Sequence, residues 1–160
     1  MTRSLQDRIP GHCFGCGSLN TEGLQIKSFW LGEEVVCAWR AQPGHIGHPG
    51  ILYGGGVASV VDCHCIWTAV AYAHRQAGEE MDASSAHKFV TAAMSLQYRK
   101  PVAIEDAIEL WARVVDFGER KAVVRCTVHA ANVLVVEAEV VVVRMRTLAE
   151  QSTATPAVAT

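Results

Sequence analysis

The sequence predicts an α+β fold in which a curved antiparallel sheet of about six strands wraps around one long central helix. Three observations predict it: two short β-rich segments come first, a long apolar segment without glycine or proline follows, and four further β-rich segments complete the chain. Apolar residues on most faces of the long segment indicate a helix surrounded by protein. A sheet curved around that helix is the economical way to bury it.

The first half of the chain supplies one strand pair and the helix. Residues 24–30 and 34–40 are predicted to form a hairpin around the dipeptide Leu31-Gly32. Residues 41–56 are rich in glycine and proline and are therefore predicted to be irregular. Residues 57–74 are too many for a typical strand, so a helix is predicted there despite several β-branched residues.

The second half of the chain is predicted to consist of strands. They span residues 91–102, 107–118, 121–130 and 133–146, and the short breaks between them predict antiparallel hairpins. Together with the buried helix they predict the hotdog fold, since a β-barrel or a sandwich leaves a single long helix unexplained. Polar residues that punctuate these strands predict one solvated face of the sheet: Arg113, Arg125, Thr127, Glu137 and Glu139.

Length and charge restrict the domain organisation and the partners. We expect one domain over residues 12–146, an N-terminal tail over 1–11 and a disordered C-terminal tail over 147–160. The net charge of -2 provides no overall positive field, which argues against nucleic acid as a partner. Charged residues interrupt the apolar stretches, and the first residues lack the apolar run of a signal peptide, so we expect no membrane partner and a cytoplasmic location.

The six cysteines do not predict a disulfide scaffold in a chain of this size. Cys13 and Cys16 have the spacing of a zinc knuckle, but no second such pair exists. Cys63 and Cys65 are two apart on the predicted helix and point to different sides. We therefore expect no metal site.

The segment where the loop becomes the helix carries the chemistry. Residues 54–56 are three glycines, and the first amides of a helix can polarise a carbonyl oxygen, although the glycines could also merely permit a tight turn. Asp62 is a carboxylate inside an apolar helix, which is costly unless it caps a loop, pairs with an arginine or has a task. A carboxylate together with an oxyanion donor is a recognisable acyl-transfer pair.

Residues 45–62, HIGHPGILYGGGVASVVD, resemble the signature of PaaI-type acyl-CoA thioesterases of the hotdog superfamily. Residues 13–29 are similar to the N-terminal segment of one branch of that family, and residues 89–102 to the strand after its helix. The resemblance implies a homodimer that hydrolyses a thioester and needs no cofactor. Whether dimers pair into tetramers is left open.

The resemblance also implies roles for individual residues. Asp62 matches the catalytic carboxylate, which attacks the thioester or activates water. Gly54 matches the glycine whose N–H polarises the thioester carbonyl, and Thr91 matches a position that orients the carboxylate or the water. The sequence departs from the family at Tyr53, where a histidine is usual, and at Gly47, where some members have asparagine.

Further residues are expected to contact the substrate. Arg99 and Lys100 follow the strand near where CoA phosphates commonly lie, and a cationic pair suits phosphate. His45 and His48 are expected to line the acyl pocket or to satisfy backbone groups of the loop. The residues predicted to bind substrate are Tyr53, Gly55, His45, His48, Arg99 and Lys100.

The spacing of the two main catalytic residues predicts a site shared between subunits. Gly54 and Asp62 are eight residues apart, which is roughly 12 Å along a helix. One thioester cannot contact the Gly54 amide and be attacked by Asp62 of the same helix. Two antiparallel helices across a two-fold axis would complete two sites at once.

We therefore predict an acyl-CoA thioesterase whose substrate is acyl-CoA or another phosphopantetheine thioester. Two alternatives remain on the same fold. A non-catalytic binder of acyl-CoA or another small ligand is favoured by the replacement at Tyr53. A hydratase or dehydratase would use a catalytic histidine in a different helix-entry motif.

Overall fold

A six-stranded antiparallel sheet curves around one 24-residue helix in the computed structural model, which describes residues 3–82 and 87–145. The predicted hotdog fold is confirmed. A short 3₁₀ helix, Pro43–His45, lies in the loop before the central helix. In chain order the other elements are α1 (Leu5–Arg8), β1 (Ser28–Leu31), β2 (Glu34–Arg40), α2 (Gly54–Ala77), β3 (Phe89–Tyr98), β4 (Ala107–Phe117), β5 (Lys121–Ala130) and β6 (Val133–Arg144).

The strands lie in the order β1-β2-β4-β5-β6-β3, and every pair is antiparallel. The predicted hairpins β1–β2, β4–β5 and β5–β6 are confirmed. The hairpin predicted between β3 and β4 is wrong: β3 pairs with β6 and β4 with β2, so residues 99–106 cross the sheet. A short connection between two strands does not require them to pair: this one leaves the edge strand β3 and leads to β4 in the middle of the sheet. The β5–β6 turn uses Ala131 and Asn132 with positive φ values of 47° and 62°, which match the twist of a two-residue hairpin.

Helix α2 is the centre of the core. It begins at Gly54, three residues before the predicted start at Val57. Glycine disfavours a helix by up to about 1 kcal/mol per residue because its backbone loses more conformational entropy, but the packing of α2 in the core outweighs this cost. The helix ends at Ala77, and the capping residue Gly78 adopts the left-handed conformation and donates its amide hydrogen to the Arg75 carbonyl oxygen at 3.3 Å. By length and apolar composition α2 could cross a membrane, but 61% of its most apolar 18-residue window is buried inside the protein.

The sheet has one packed face and one solvated face, as predicted. On the packed face of β5, Val124 and Val128 are fully buried. On the outer face, Arg125 of β5 lies opposite Glu139 of β6, and the two exposed side chains form an ion pair at 3.1 Å. This alternation is the two-residue period of a half-buried strand.

The N-terminal residues differ from the predicted tail over 1–11. Leu5 of α1 is buried and packs against Val35 and Ala71. The helix is capped by Ser4, whose hydroxyl oxygen accepts a hydrogen bond from the Asp7 amide at 3.2 Å. A four-residue helix has no periodicity that a sequence could reveal, which explains the difference. The predicted C-terminal tail over 147–160 lies outside the described residues.

A buried polar network ties α1 to the centre of the fold. Gln6 donates to the Ser28 hydroxyl at 2.9 Å, and its side-chain oxygen accepts from the Ser28 amide at 2.7 Å. His64 Nε2 lies 3.1 Å from the Val35 carbonyl oxygen, which can only accept, so Nε2 carries the hydrogen. His64 Nδ1 then accepts from the Ser28 hydroxyl at 2.9 Å. Burial lowers the pKa of His64 to about 4, and the histidine is a neutral core residue.

Candidate active site

Asp62 lies on the one partly exposed face of α2. Together with Gly55, Ser59 and Ile66 it follows the three- or four-residue spacing of a single helix face. Thr91 of β3 donates its hydroxyl hydrogen to Asp62 Oδ1 at 2.5 Å. Among residues 3–82 and 87–145 no ion pair forms at Asp62, so the pairing with arginine that the sequence left open is not found. The partner of this carboxylate is a hydroxyl.

A β-bulge positions Thr91 for this contact. The register between β3 and β6 shifts after the pair Thr91–Val142, and the next aligned pair is Ala93–Val141. A bulge bends the strand locally and redirects its side chains. Bulges are common beside active sites for this reason.

The first turn of α2 presents two amides without a partner in the helix. The amides of Gly56 and Val57 donate to the Tyr53 carbonyl oxygen at 2.9 and 3.2 Å. The amides of Gly54 and Gly55 precede them and have no intrahelical acceptor. They point out of the positive end of the helix dipole, where an oxygen that gains negative charge is stabilised.

Two tyrosines pack against these glycines. The Tyr98 hydroxyl donates to the Gly54 carbonyl oxygen at 2.7 Å, and this bond orients the peptide group that carries the Gly55 amide. Partial burial, with a smaller contribution from Tyr53, raises the pKa of Tyr98. The Tyr53 ring covers Gly55 so closely that a Cβ there would lie 2.5 Å from it, so any larger residue at this position would require the exposed Tyr53 ring to shift. Sequence reasoning missed Tyr98, although a tyrosine at the end of a strand beside the glycine turn was an available signal.

A cleft of about 630 Å³ opens at the start of α2. Arg99 borders the cleft but is also held by Glu137, with 2.7 Å between Arg99 Nε and a carboxylate oxygen, and by Gln97. These side chains are about half exposed, and such ion pairs contribute at most about 1 kcal/mol, so the guanidinium is free to exchange partners. The cleft brings together most of the predicted substrate-binding residues with Gly54 and Tyr98: Tyr53, His48, Arg99 and Lys100.

His45 does not line the cleft, and its predicted contact with substrate is not supported. Its Nδ1 accepts the Gln42 amide hydrogen at 3.0 Å, and its ring stacks on Trp39 with 5.4 Å between centroids. The side chain therefore satisfies a backbone group of the loop, which is the alternative role that the sequence predicted for His45.

Asp62 lines a different cavity, of about 350 Å³. Cys13, Cys16 and Cys63 line the same cavity. All six cysteines of the chain are described and all are free. Hydrogen bonding from the Cys63 thiol, aided by the Trp67 N–H, lowers the pKa of Cys16 to about 6 against the opposing effect of burial. Within one chain, then, Gly54 and Asp62 face separate cavities.

Comparisons with known proteins identify the family of the chain. The sequence profile of the thioesterase superfamily matches residues 49–137, which include the glycine turn, α2 and most of the sheet. A solved thioesterase superfamily protein from Shewanella loihica PV-4 is 30% identical and superimposes with a TM-score of 0.65; the match covers 85% of this chain and 96% of that one. The chain belongs to the thioesterase superfamily. The predicted membership of the hotdog thioesterases is thereby confirmed.

More distant members share the fold with this thioesterase-superfamily chain. The PaaI protein of the Escherichia coli phenylacetic acid degradation operon has a TM-score of 0.63 at 14% identity, with 77% of this chain and 81% of that one covered. A hypothetical thioesterase from Streptococcus pneumoniae, solved with coenzyme A, has a TM-score of 0.62 at 14% identity, with 75% and 85% covered. No protein of curated function matches the chain in sequence.

Proposed function

We propose that this protein hydrolyses an acyl-CoA-type thioester, with Asp62 attacking the thioester carbon directly or through an activated water. The observation that carries the proposal is the hydrogen bond from Thr91 to Asp62 on the partly exposed face of an otherwise apolar helix. Desolvating a carboxylate there is unfavourable, and one hydroxyl offsets only part of that cost. A positioned carboxylate that faces a cavity is suited to nucleophilic or general-base chemistry.

The start of α2 would stabilise the transition state. The carbonyl oxygen of the thioester becomes negative when the carbon is attacked, and the Gly54 amide would donate a hydrogen bond to it. The Tyr98 hydroxyl, bound to the Gly54 carbonyl oxygen, holds this turn in a fixed orientation. The residue that replaces the usual histidine, Tyr53, lies directly beside the site.

The cleft at the start of α2 would hold the CoA part of the substrate. Lys100 and Arg99 supply positive charge at its border, which suits phosphate groups. The Streptococcus pneumoniae protein of the same fold was solved with coenzyme A, which supports a thioester of this class. The free cysteines fit a reducing compartment, and we propose the cytoplasm.

The complete site would form between two subunits. Gly54 and Asp62 belong to different cavities of one chain, so a second α2 running antiparallel would bring the Asp62 of one subunit to the Gly54 of the other. Strand β3 is an edge strand of ten residues, and it exposes Val90, Met94 and Tyr98. Proteins usually cover a long apolar edge of this kind, and pairing with a second copy would do so.

A second candidate function is a non-catalytic binder of acyl-CoA. It is favoured by Tyr53, whose exposed ring lies over Gly55 at the position that the family fills with histidine. Turnover of a panel of acyl-CoA thioesters separates the two candidates: a binder would take up the ligands without releasing free thiol.

The central test is the substitution Asp62→Asn, which removes the charge and keeps the shape. We expect thioester hydrolysis to fall by at least about 100-fold, because the attacking or proton-accepting group is lost, with fold and dimer unchanged. The rate of hydrolysis should fall by about tenfold in Thr91→Val, which lacks the hydroxyl. It should stay near the parent rate in Thr91→Ser, which retains the hydroxyl. Activity of Asp62→Asn within about threefold of the parent would contradict the assignment.

A further inference from the structure

The thiols of Cys13, Cys16 and Cys63 converge on one point. The first two come from the loop before β1, and the third comes from α2. Their sulfur atoms all lie within 4.8 Å of one another, and Cys13 Sγ is 3.8 Å from Cys63 Sγ. The sequence predicted no metal because Cys13 and Cys16 lacked a second pair, but a residue 47 positions further along the chain supplies a third sulfur.

The loop is shaped to hold this arrangement. The Gly17 amide donates to the Cys13 carbonyl oxygen at 2.8 Å, which closes a tight turn around the two cysteines. The Leu24 amide donates to the Phe14 carbonyl oxygen at 2.8 Å and ties the turn to the chain that follows. Gly15 faces Cys63 so closely that a Cβ would lie 2.3 Å from its sulfur. Any side chain at position 15 would push the third sulfur away, so this glycine is required for the convergence.

The separation of Cys13 Sγ and Cys63 Sγ, 3.8 Å, matches that of two ligands in a thiolate metal centre. In a tetrahedral zinc site with Zn–S bonds of about 2.3 Å, neighbouring sulfurs are about 3.8 Å apart. A disulfide would use only two of the three sulfurs and would leave the third without a role. Hydrophobic packing alone would not need a glycine that admits one sulfur to the other two.

We propose that Cys13, Cys16 and Cys63 form a binding site for one thiophilic divalent cation of the Zn²⁺ class. Three thiolates occupy three of the four tetrahedral positions, and each loses its proton on binding. The three cysteines line the same cavity as Asp62, so water or a small ligand in that cavity could complete the coordination. The cation would fasten the loop to α2 and would form part of the wall of that cavity.

A neighbouring side chain supports the site. Trp67 Nε1 donates to Cys16 Sγ at 3.0 Å, and hydrogen bonds of this kind orient thiolate ligands. Trp67 belongs to the same helix as Cys63, one turn further along, so α2 supplies both a ligand and the donor that orients another ligand.

The test is a metal titration of the full-length, fully reduced protein. Zn²⁺ is added in competition with a chromophoric chelator, and Co²⁺ is added in parallel to record thiolate-to-cobalt charge-transfer absorption. We expect one equivalent per chain. Cys63→Ala should weaken binding by more than about 100-fold, which exceeds the loss on removing a supporting partner, and Trp67→Phe should weaken it by about 10–100-fold. Cys37→Ala is the matched control, because Cys37 is also a buried thiol but lies in β2, outside the cluster, and it should bind like the parent.

Three outcomes would overturn the proposal: no saturable binding at micromolar metal, cobalt binding without charge-transfer absorption, or equal affinity in Cys63→Ala and the parent. Equal affinity would place the ion elsewhere, for example at His74, Glu79 and His87, whose side chains also lie close together. Circular dichroism of each variant separates lost ligands from lost structure. If Cys63→Ala does not fold, Trp67→Phe and Cys13→Ser decide the question.

Discussion

Asp62 and His64 stand two residues apart on α2, and each is a polar side chain in an apolar helix. Asp62 lies on the partly exposed face, has one hydroxyl partner and borders a cavity. His64 points into the core, where both of its ring nitrogens have partners. A group whose hydrogen-bonding capacity is filled is structural, whereas a carboxylate with unused acceptor capacity beside a cavity is available for chemistry.

The buried histidine predicts a pH-dependent stability. Burial lowers the pKa of His64 from 6.5 to about 4 in the folded state, so the unfolded chain binds more protons between these values. The free energy of unfolding is therefore unaffected by the titration of His64 above pH 6.5 and decreases as the pH falls towards 4. The decrease is about 1.4 kcal/mol per pH unit and reaches about 3 kcal/mol in total. His64→Gln should remove this part of the pH dependence of the free energy of unfolding, measured with urea at several pH values.

The control for this measurement is His48→Gln, which changes an exposed histidine in the loop. It should lose stability with falling pH as the parent does. If the parent and His64→Gln show the same dependence between pH 7 and 4, His64 is not the buried titrating group.

At the scale of elements, the first turn of α2 can be tested without disturbing the helix. Gly54→Pro removes the amide hydrogen, and proline is favoured at the first helical position. Tyr53 has φ -60° and ψ 124°, an extended conformation that a following proline permits. We expect kcat to fall by about 10²–10³, as on loss of one oxyanion donor, with little change in thermal stability.

Gly54→Ala is the matched control, since it keeps the amide hydrogen. Its Cβ would lie 3.6 Å from the Tyr98 ring, which is ordinary van der Waals contact. This variant should remain within about tenfold of the parent, given that about 1.4 kcal/mol corresponds to a factor of ten. Parent-like kcat in Gly54→Pro would show that this amide does not contact the reacting oxygen.

The elements could be predicted from the sequence where the signal is local. β-rich segments separated by short breaks predicted β4, β5 and β6, and the length of a segment without glycine or proline predicted the body of α2. The pairing of β3 with β6 could not be predicted, because it joins segments about 45 residues apart and depends on how the sheet closes around the helix.

The candidate site was predictable to a similar degree. The family resemblance implied roles for Asp62, Gly54 and Thr91. In the structure Thr91 donates a hydrogen bond to Asp62 next to a β-bulge, which no local sequence pattern predicts. The approach of Cys63 to the N-terminal loop was missed, since it is set by packing between distant segments.

At the scale of the whole molecule, the shared site predicts complementation between inactive subunits. Asp62→Asn and Gly54→Pro are each expected to be inactive as homodimers. In a mixed dimer one site inherits both defects and the other inherits neither, so co-refolding at equal amounts should restore about a quarter of the parent activity. Activity is measured by release of free thiol from an acyl-CoA.

The control is a mixture of Asp62→Asn with Asp62→Ala, in which every site lacks the carboxylate and no activity should return. If mixed dimers, verified with differently tagged chains, are as inactive as that control although each variant folds and dimerises, each subunit has its own complete site and the shared arrangement is wrong.

The burial of α1 has a practical consequence for shortening the chain. A chain starting at residue 12, where the sequence places the domain boundary, would lose Leu5 and so uncover Val35 and Ala71. It would also lose both hydrogen bonds between Gln6 and Ser28, the residue that supports His64. One buried leucine contributes about 2 kcal/mol and each hydrogen bond about 1 kcal/mol, a large share of a typical domain stability of about 5–15 kcal/mol. Residues 4–8 thus cover part of the core, and removing them for crystallisation or fusion would expose buried side chains to solvent.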